Sequence, residues 1–161
     1  MRDKLVELLP KIYRYALHLC GDRHLAEDLA QEAMVRAITS CSKLADQRAL
    51  KVWVFRIAYN LWIDDCRRRR KTSDTGQCAI DLLQSSERSA VDNFEVLDLI
   101  SFAMQAMRQL PDRQRAVLHL VACEQLSIAE VAQVLGITTQ AVKASLSLAR
   151  SQLREILKKA R

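Results

Sequence analysis

Residues 127–143, SIAEVAQVLGITTQAVK, contain the signals of two short helices joined by a tight turn. Ser127 and Glu130 stand three residues apart, which is the spacing of a capping box at a helix start. Gly136 suits the left-handed conformation that ends such a helix, and Thr138 is a suitable N-cap for the next one. This order predicts a helix-turn-helix, a motif that places its second helix in the major groove of DNA.

The second helix of this motif is predicted to present a polar face outward, because its apolar positions recur at helical spacing. The candidate DNA-binding residues on and beside that face are Thr138, Thr139, Gln140, Lys143, Ser147 and Arg150. A plain helical hairpin is the alternative. The basic residues scattered over positions 150–161 favour DNA binding.

Upstream, residues 50–70 predict a long helix that is apolar over most of its surface. Its polar residues form one stripe, at steps of four, four and three: Arg56, Asn60, Asp64 and Arg67. Five consecutive cations follow: Arg67, Arg68, Arg69, Arg70 and Lys71. A helix end needs fewer charges for capping, so the run indicates a polyanion partner. An amide such as Asn60 can read a base edge while an arginine holds phosphate. The alternative is a core helix with one solvent-exposed edge.

Two amphipathic helices precede this segment, over residues 5–20 and 22–39. Gly21 can end the first helix, and Asp22 can cap the second. The second helix has an apolar stripe that includes Ile38, and its opposite face carries Asp28, Gln31, Glu32 and Arg36. Taken alone, such a face is most simply explained as solvated.

Composition and charge predict the fold class and the domain organisation. The 161 residues include only 3 Gly and 2 Pro, which favours helices over a many-turned β structure. Residues 1–70, 71–100 and 101–161 have net charges of +5, −4 and +5. This pattern predicts an all-α protein whose two small helical domains share a polyanion and are joined by a flexible linker. The predicted bounds are 1–71 for the first domain, 72–93 for the linker and 94–161 for the helix-turn-helix domain.

Several classes of protein lack support in the sequence. There is no run of eighteen apolar residues and no secretory signal, so we expect a cytoplasmic protein without membrane insertion. The cysteines and histidines are irregularly spaced and no C-x-x-C occurs, so we expect no metal site and no cofactor. No nucleophile–base arrangement is recognisable, so we expect no catalytic residues and no enzymatic activity.

Two motifs in the predicted first domain resemble those of sigma factors of the sigma-70 family. DLAQE at residues 28–32 is similar to the family's D-L-x-Q-E motif. WVFRIAYNLWID at residues 53–64 is similar to its W-L-x-R-I-A-x-N-x-x-I-D motif. Residues 110–153 resemble region four of the family, including the L-G-I turn. The small size, with no further regions, matches the extracytoplasmic-function (ECF) group.

The resemblance implies a role for each candidate surface. The polar face of the second helix would bind the coiled coil of the polymerase largest subunit through Asp28, Gln31, Glu32 and Arg36. Residues 39–50 and 51–70 would melt and read the minus-ten element, with a flipped base at the loop and Asn60 at the neighbouring step. The helix-turn-helix would bind the minus-thirty-five element. The implied partners are bacterial core RNA polymerase, promoter DNA and an anti-sigma factor.

The chain departs from the family in its recognition helix, where Ser145, Ser147 and Leu148 stand at positions that often hold Arg, His and Arg. Fewer cations would weaken or redirect the minus-thirty-five contact. Ile38 also stands where Trp is frequent. The alternative function is a sigma-like protein that titrates an anti-sigma factor without initiating transcription. A third is an autonomous helix-turn-helix repressor, which would not need the polar face of the second helix.

Overall fold

The computed structural model describes residues 1–72 and 94–159, with the backbone alone for residues 94–100. These residues form seven α-helices, with no strand among them: α1 (Arg2–Cys20), α2 (Arg23–Ser40), α3 (Leu50–Thr72), α4 (Phe94–Arg108), α5 (Asp112–Ala122), α6 (Ile128–Leu135) and α7 (Thr139–Lys159). The all-α prediction is confirmed. None of these described helices is both long and apolar enough to cross a membrane.

Local capping sets the turn between α1 and α2. Gly21 ends α1 with a φ of 69°, a left-handed conformation that costs glycine little because it has no Cβ. Asp22 caps α2, accepting a hydrogen bond from the backbone N–H of Leu25 at 3.0 Å. Both predicted caps are confirmed, and the short turn lets α1 pack against α2.

The first module packs α1, α2 and α3 around an apolar core. α2 contributes buried small side chains, which let its neighbours approach closely: Ala26, Ala30, Ala33 and Ala37. Phe55 of α3 is fully buried and lies edge-on to Tyr15 of α1, with ring centroids 5.2 Å apart. Such edge-to-face pairs are favourable beyond the burial of their area. Phe55 and Trp62 of α3 are both buried in this core.

The segment between α2 and α3 is a loop with two short 3-10 turns, at Cys41–Lys43 and Gln47–Ala49. α3 begins at Leu50, as predicted, but ends at Thr72 rather than at position 70. The Thr72 hydroxyl donates to the carbonyl oxygens of Arg68 and Arg69, at 3.2 and 3.1 Å. These bonds tie the last turn to the helix. The whole basic run is therefore helical.

α6 and α7 form the predicted helix-turn-helix. The Ser127 hydroxyl accepts from the backbone N–H of Glu130 at 3.2 Å, and the Ser127 N–H donates to the Glu130 carboxylate at 2.7 Å. Gly136, with a φ of 65°, ends α6. The Thr138 hydroxyl then accepts from the backbone N–H of Ala141 at 3.1 Å. The capping box, the glycine turn and the threonine cap are all confirmed.

The two modules pack directly against each other. α1 contacts α5 and α3 contacts α6, so one cluster of buried apolar side chains continues from the first module into the second. The predicted flexible linker over residues 72–93 falls outside the described residues, apart from Thr72, which ends α3. The domain bounds stay a prediction.

Candidate polymerase and DNA interfaces

The polar face of α2 is exposed. It carries all four residues predicted to bind the polymerase: Asp28, Gln31, Glu32 and Arg36. Arg36 Nε donates to Glu32 Oε1 at 2.8 Å, and both side chains remain more than half exposed. An exposed pair of this kind adds little to stability. The face can therefore exchange it for contacts with a partner at small cost.

Two apolar side chains lie on the exposed side of α2, where sequence reasoning misses them. Val35 is 56% exposed and Ile38 is 44% exposed. The prediction that Ile38 belongs to the buried stripe is wrong, because position 38 lies nearly two full turns after Gln31 and shares its side of the helix. Val35 and Ile38 are three positions apart, so they form one small apolar patch beside the charged residues of this face. The helical spacing of Gln31, Val35 and Ile38 places all three on one side of α2, and it could have predicted the exposure of the two apolar side chains.

An open cleft of about 400 Å³ lies where α2, the following loop and α3 meet. Its lining side chains come from all three elements: Arg36, Ser40, Lys43, Leu44, Trp53, Ile57 and Asn60. Arg36 and Asn60 are predicted to serve different partners, and the structure brings them to the same cleft. Sequence reasoning does not single out the other five. Trp53 and Ile57 belong to the motif at residues 53–64, but their spacing alone does not predict that either side chain lines a cleft.

The cleft combines the chemical groups that bind a nucleotide taken out of a duplex. Trp53 is partly exposed and contributes indole surface on which a base can stack. The Asn60 carboxamide both donates and accepts, so it can pair with one base edge. Lys43 and Arg36 add positive charge for the adjoining phosphates. The cleft is therefore suited to hold one unpaired base and its backbone.

The polar stripe of α3 is exposed as predicted, at Arg56, Asn60, Asp64 and Arg67. The exposed basic run continues it through Arg68, Arg69 and Arg70. Cations in the last turns of a helix interact favourably with its C-terminal dipole, which helps to hold so many like charges together. Arg69 also pairs with Asp65 at 3.0 Å, and both side chains are at least 40% exposed. This pair can be exchanged for phosphate contacts.

The outward face of α7 displays the predicted DNA-binding residues. All six are exposed: Thr138, Thr139, Gln140, Lys143, Ser147 and Arg150. The other side of the helix buries Val142, Leu146 and Ala149 and packs on α5 and α6. The first turns of α7 are therefore presented as a recognition helix, with Arg150 placed farther along for the DNA backbone.

The low charge of this recognition helix depends on fewer positions than the sequence suggests. Ser145 is only 8% exposed, so its difference from the family's arginine cannot act by direct contact with DNA. Ser147 is exposed and Leu148 is 54% exposed. The lower charge of the groove-facing surface, which still carries Lys143, therefore comes from these two positions.

Models of two protein regions match the chain. Sigma-70 region 2 matches residues 5–72, and Sigma-70, region 4 matches residues 103–153. The ECF RNA polymerase sigma factor SigW of Bacillus subtilis is 30% identical, over 92% of this chain and 83% of SigW. The ECF RNA polymerase sigma factor SigL of Mycobacterium tuberculosis is 34% identical, over 96% of this chain and 86% of SigL.

Two solved structures share the fold. One is the sigma factor RpoE in complex with the anti-sigma factor NepR from Bartonella quintana, with a TM-score of 0.78 and 22% identity, covering 99% of this chain and 98% of RpoE. The other is CnrH in complex with the cytosolic domain of CnrY, with a TM-score of 0.66 and 21% identity, covering 100% of this chain and 92% of CnrH.

A helical module ending in a basic helix, followed by a helix-turn-helix module, defines a bacterial transcription initiation factor of the sigma type. Both region models and the full-length similarity to curated relatives agree with this class. The chain belongs to the ECF group of the sigma-70 family. It directs transcription by RNA polymerase.

Proposed function

We propose that the chain binds core RNA polymerase through the exposed face of α2, opens the minus-ten element at the cleft and reads the minus-thirty-five element with α7. The observation that carries this assignment is the cleft, because Arg36 belongs both to the α2 face and to the cleft lining. A polymerase bound to α2 would therefore lie beside the DNA strand that is being opened.

The free energy of base flipping indicates that both the chain and the polymerase contribute to opening the duplex. Taking a base out of the stack costs a few kcal/mol. Stacking on an aromatic side chain such as Trp53 returns about 1–3 kcal/mol. The chain alone therefore roughly balances the cost for one base, and polymerase contacts supply the remainder for a longer bubble.

The domain assignment is residues 1–71 for polymerase binding and the minus-ten element, 72–93 for the linker and 94–161 for the minus-thirty-five element. The chain contributes no catalytic residues, because RNA synthesis belongs to the polymerase, and it acts in the cytoplasm, where the chromosome lies. An anti-sigma factor is a further partner. The solved relatives in complex with NepR and CnrY support this proposal.

Reconstituted transcription tests the function. Core polymerase supplied with the full chain should give start-site-specific transcripts from promoters recovered with the complex, whereas core alone should not. If the complex forms but no promoter is ever transcribed, the chain instead titrates an anti-sigma factor, and the assignment of the cleft and of α7 fails.

Core binding should depend on the α2 face. The double substitution Gln31→Ala/Glu32→Arg removes an amide and reverses a charge at exposed positions, so we expect unchanged helix content and about tenfold weaker binding to core polymerase, which corresponds to about 1.4 kcal/mol. Pull-down over a titration of core polymerase measures this. Glu7→Arg, an exposed charge reversal on α1, is the control and should bind normally. Equal binding by both variants would place the polymerase contact elsewhere.

The free chain should bind duplex DNA weakly and with little sequence preference. Its exposed cations can contact phosphates, but reading both elements needs the two modules to be held at the right spacing. Gel-shift titrations on a promoter duplex and a scrambled duplex should give dissociation constants within a few-fold of each other, both rising steeply with salt. Tight, sequence-selective binding without polymerase would favour the repressor function.

A further inference from the structure

The outward face of α7 carries an apolar patch. Leu148 is 54% exposed, and the exposed methyl group of Ala144 lies one helical turn before it. Residues four apart are neighbours on a helix surface, so the two side chains form one continuous patch. The buried side of the helix packs on α5 and α6 through Val142, Leu146 and Ala149. Packing of the core therefore does not account for Leu148.

The surroundings of this patch suit DNA. Gln140, also exposed, lies one turn before Ala144 on the same side of the helix. Residues 139–150 include two cations, Lys143 and Arg150, and no acidic residue. The two cations flank the patch along the chain, so they can hold phosphates while the uncharged surface between them faces base edges.

The patch also lies within reach of the major groove. α7 begins at Thr139, so Ala144 belongs to its second turn and Leu148 to its third. Three turns extend about 16 Å, and the major groove is about 12 Å wide. A helix whose first turn lies against base edges therefore keeps its third turn beside the groove.

Thymine is the base whose major-groove edge matches an apolar side chain. It presents a C5 methyl group there, and contact with Leu148 removes apolar surface of both partners from water. Purines present N7 with an O6 or N6 group, and cytosine presents its N4 amino group. Against Leu148 these polar groups would lose water without gaining a hydrogen bond. The same side chain therefore favours thymine and disfavours the other bases.

We propose that Leu148, together with Ala144, determines specificity in the minus-thirty-five element by selecting thymine at one position through its C5 methyl group. The proposal rests on the proposed function, because it requires α7 to lie in the major groove of that element. An arginine, frequent at this position in the family, would instead donate to guanine or to phosphate. Leucine here therefore changes the preferred base rather than only weakening the contact.

Transcription by the reconstituted holoenzyme over a library randomised in the minus-thirty-five element tests the selection. With the original chain, one position should favour thymine on one strand, and Leu148→Ala should lose that preference while keeping the others. Alanine has the highest helix propensity, so the variant should keep its helix content. Leu157→Ala is the control: Leu157 is 39% exposed and lies nine residues farther along α7, half a turn around its axis. An unchanged preference in Leu148→Ala would overturn the proposal.

Removal of the methyl group itself tests the chemistry. Deoxyuridine in place of the selected thymine keeps every hydrogen-bonding group and lacks only the C5 methyl. Holoenzyme with the original chain should bind this template about fourfold more weakly, the effect of about one buried methyl, whereas holoenzyme with Leu148→Ala should show little change. Competition binding against a fluorescent promoter template measures both affinities. Equal sensitivity of the two proteins to deoxyuridine would contradict the proposal.

Failure of this proposal can be distinguished from failure of the proposed function. If the holoenzyme transcribes the library without any preference in the minus-thirty-five element, the assignment of α7 to that element is wrong. If a preference exists and Leu148→Ala leaves it intact, only the role of Leu148 is rejected. If Leu148→Ala instead weakens pull-down of core polymerase and keeps the base preference, the patch binds polymerase, which also overturns the proposal.

Discussion

Replacing Asn60 with alanine should reduce transcription from promoters that carry one particular base in the minus-ten element and leave other promoters almost unchanged. The Asn60 carboxamide is exposed and lines the cleft between α2 and α3, where it can donate to and accept from one base edge. Removal of such an interaction costs about 1–3 kcal/mol at one base pair, which is about fivefold to 150-fold in binding.

Arg68→Ala/Arg69→Ala should have the complementary effect. Both side chains are exposed in the basic run, where they are placed to contact phosphate rather than bases. All promoters should weaken by a similar factor, and the dependence of binding on salt should become shallower by about one unit for each phosphate that is no longer neutralised. The two variants therefore separate specificity from affinity.

In vitro transcription over a library randomised in the minus-ten element measures both effects. Gln109→Ala, which removes an exposed carboxamide outside the candidate interfaces, is the control and should preserve the sequence preference. If Asn60→Ala lowers every promoter equally, the amide has a structural role, such as bonding to a nearby backbone group. The assignment of Asn60 to base reading would then be wrong.

Features set by neighbouring residues could be predicted from the sequence. The turn at Gly21 and Asp22, the capping box of Ser127 with Glu130, and the turn at Gly136 each depend on a few consecutive residues, and all are present. Helical spacing likewise gave the exposed stripe of α3 and the outward face of α7, because a single amphipathic helix determines which of its sides is buried.

The contact between the modules could not be predicted in this way. Lys51 and Glu124 are separated by 73 positions, and neither belongs to a recognisable motif. His119 lies on a helix whose apolar period indicates a core position but not the helix that covers it. Only the packing of α1 on α5 places it against Tyr15 and His18. Local periodicity cannot identify such pairs.

The cleft was partly predictable. Asn60 follows from the exposed stripe of α3 and Arg36 from the polar face of α2, but their shared cleft depends on the path of the loop between the helices. Trp53 looks like an ordinary core residue by its spacing. Its partial exposure at the cleft is not indicated by any pattern within α3.

The free energy of unfolding should fall by about 3 kcal/mol between pH 6.5 and about pH 4 because of His18. Burial disfavours its charged ring, and His119, Arg115, Arg108 and Arg14 add positive charge nearby, so its pKa is lowered from 6.5 to about 4. Over this range the unfolded chain takes up a proton that the folded chain does not accept, so stability is complete above pH 6.5 and is lost as the pH falls.

Other ionisable groups near His18 change the free energy of unfolding in different pH ranges. Burial alone would lower the pKa of His119, but Cys123 and Glu124 outweigh it and raise that pKa above 6.5, so the stability this residue contributes is already complete below pH 6.5. Burial opposes the charge of Glu124, but His119 and Lys51 outweigh it and lower its pKa below 4.5. The range from pH 6.5 to 4.5 therefore reports on His18.

Urea unfolding followed by circular dichroism at several pH values in this range measures the slope of the free energy of unfolding against pH. His18→Asn should flatten it, whereas His24→Asn, at an exposed position of α2, should keep it. A slope that survives in His18→Asn would assign the effect to another group. Three of the four charged neighbours, His119, Arg115 and Arg108, belong to the second module. NMR titration of the His18 imidazole in the folded chain measures its lowered pKa directly.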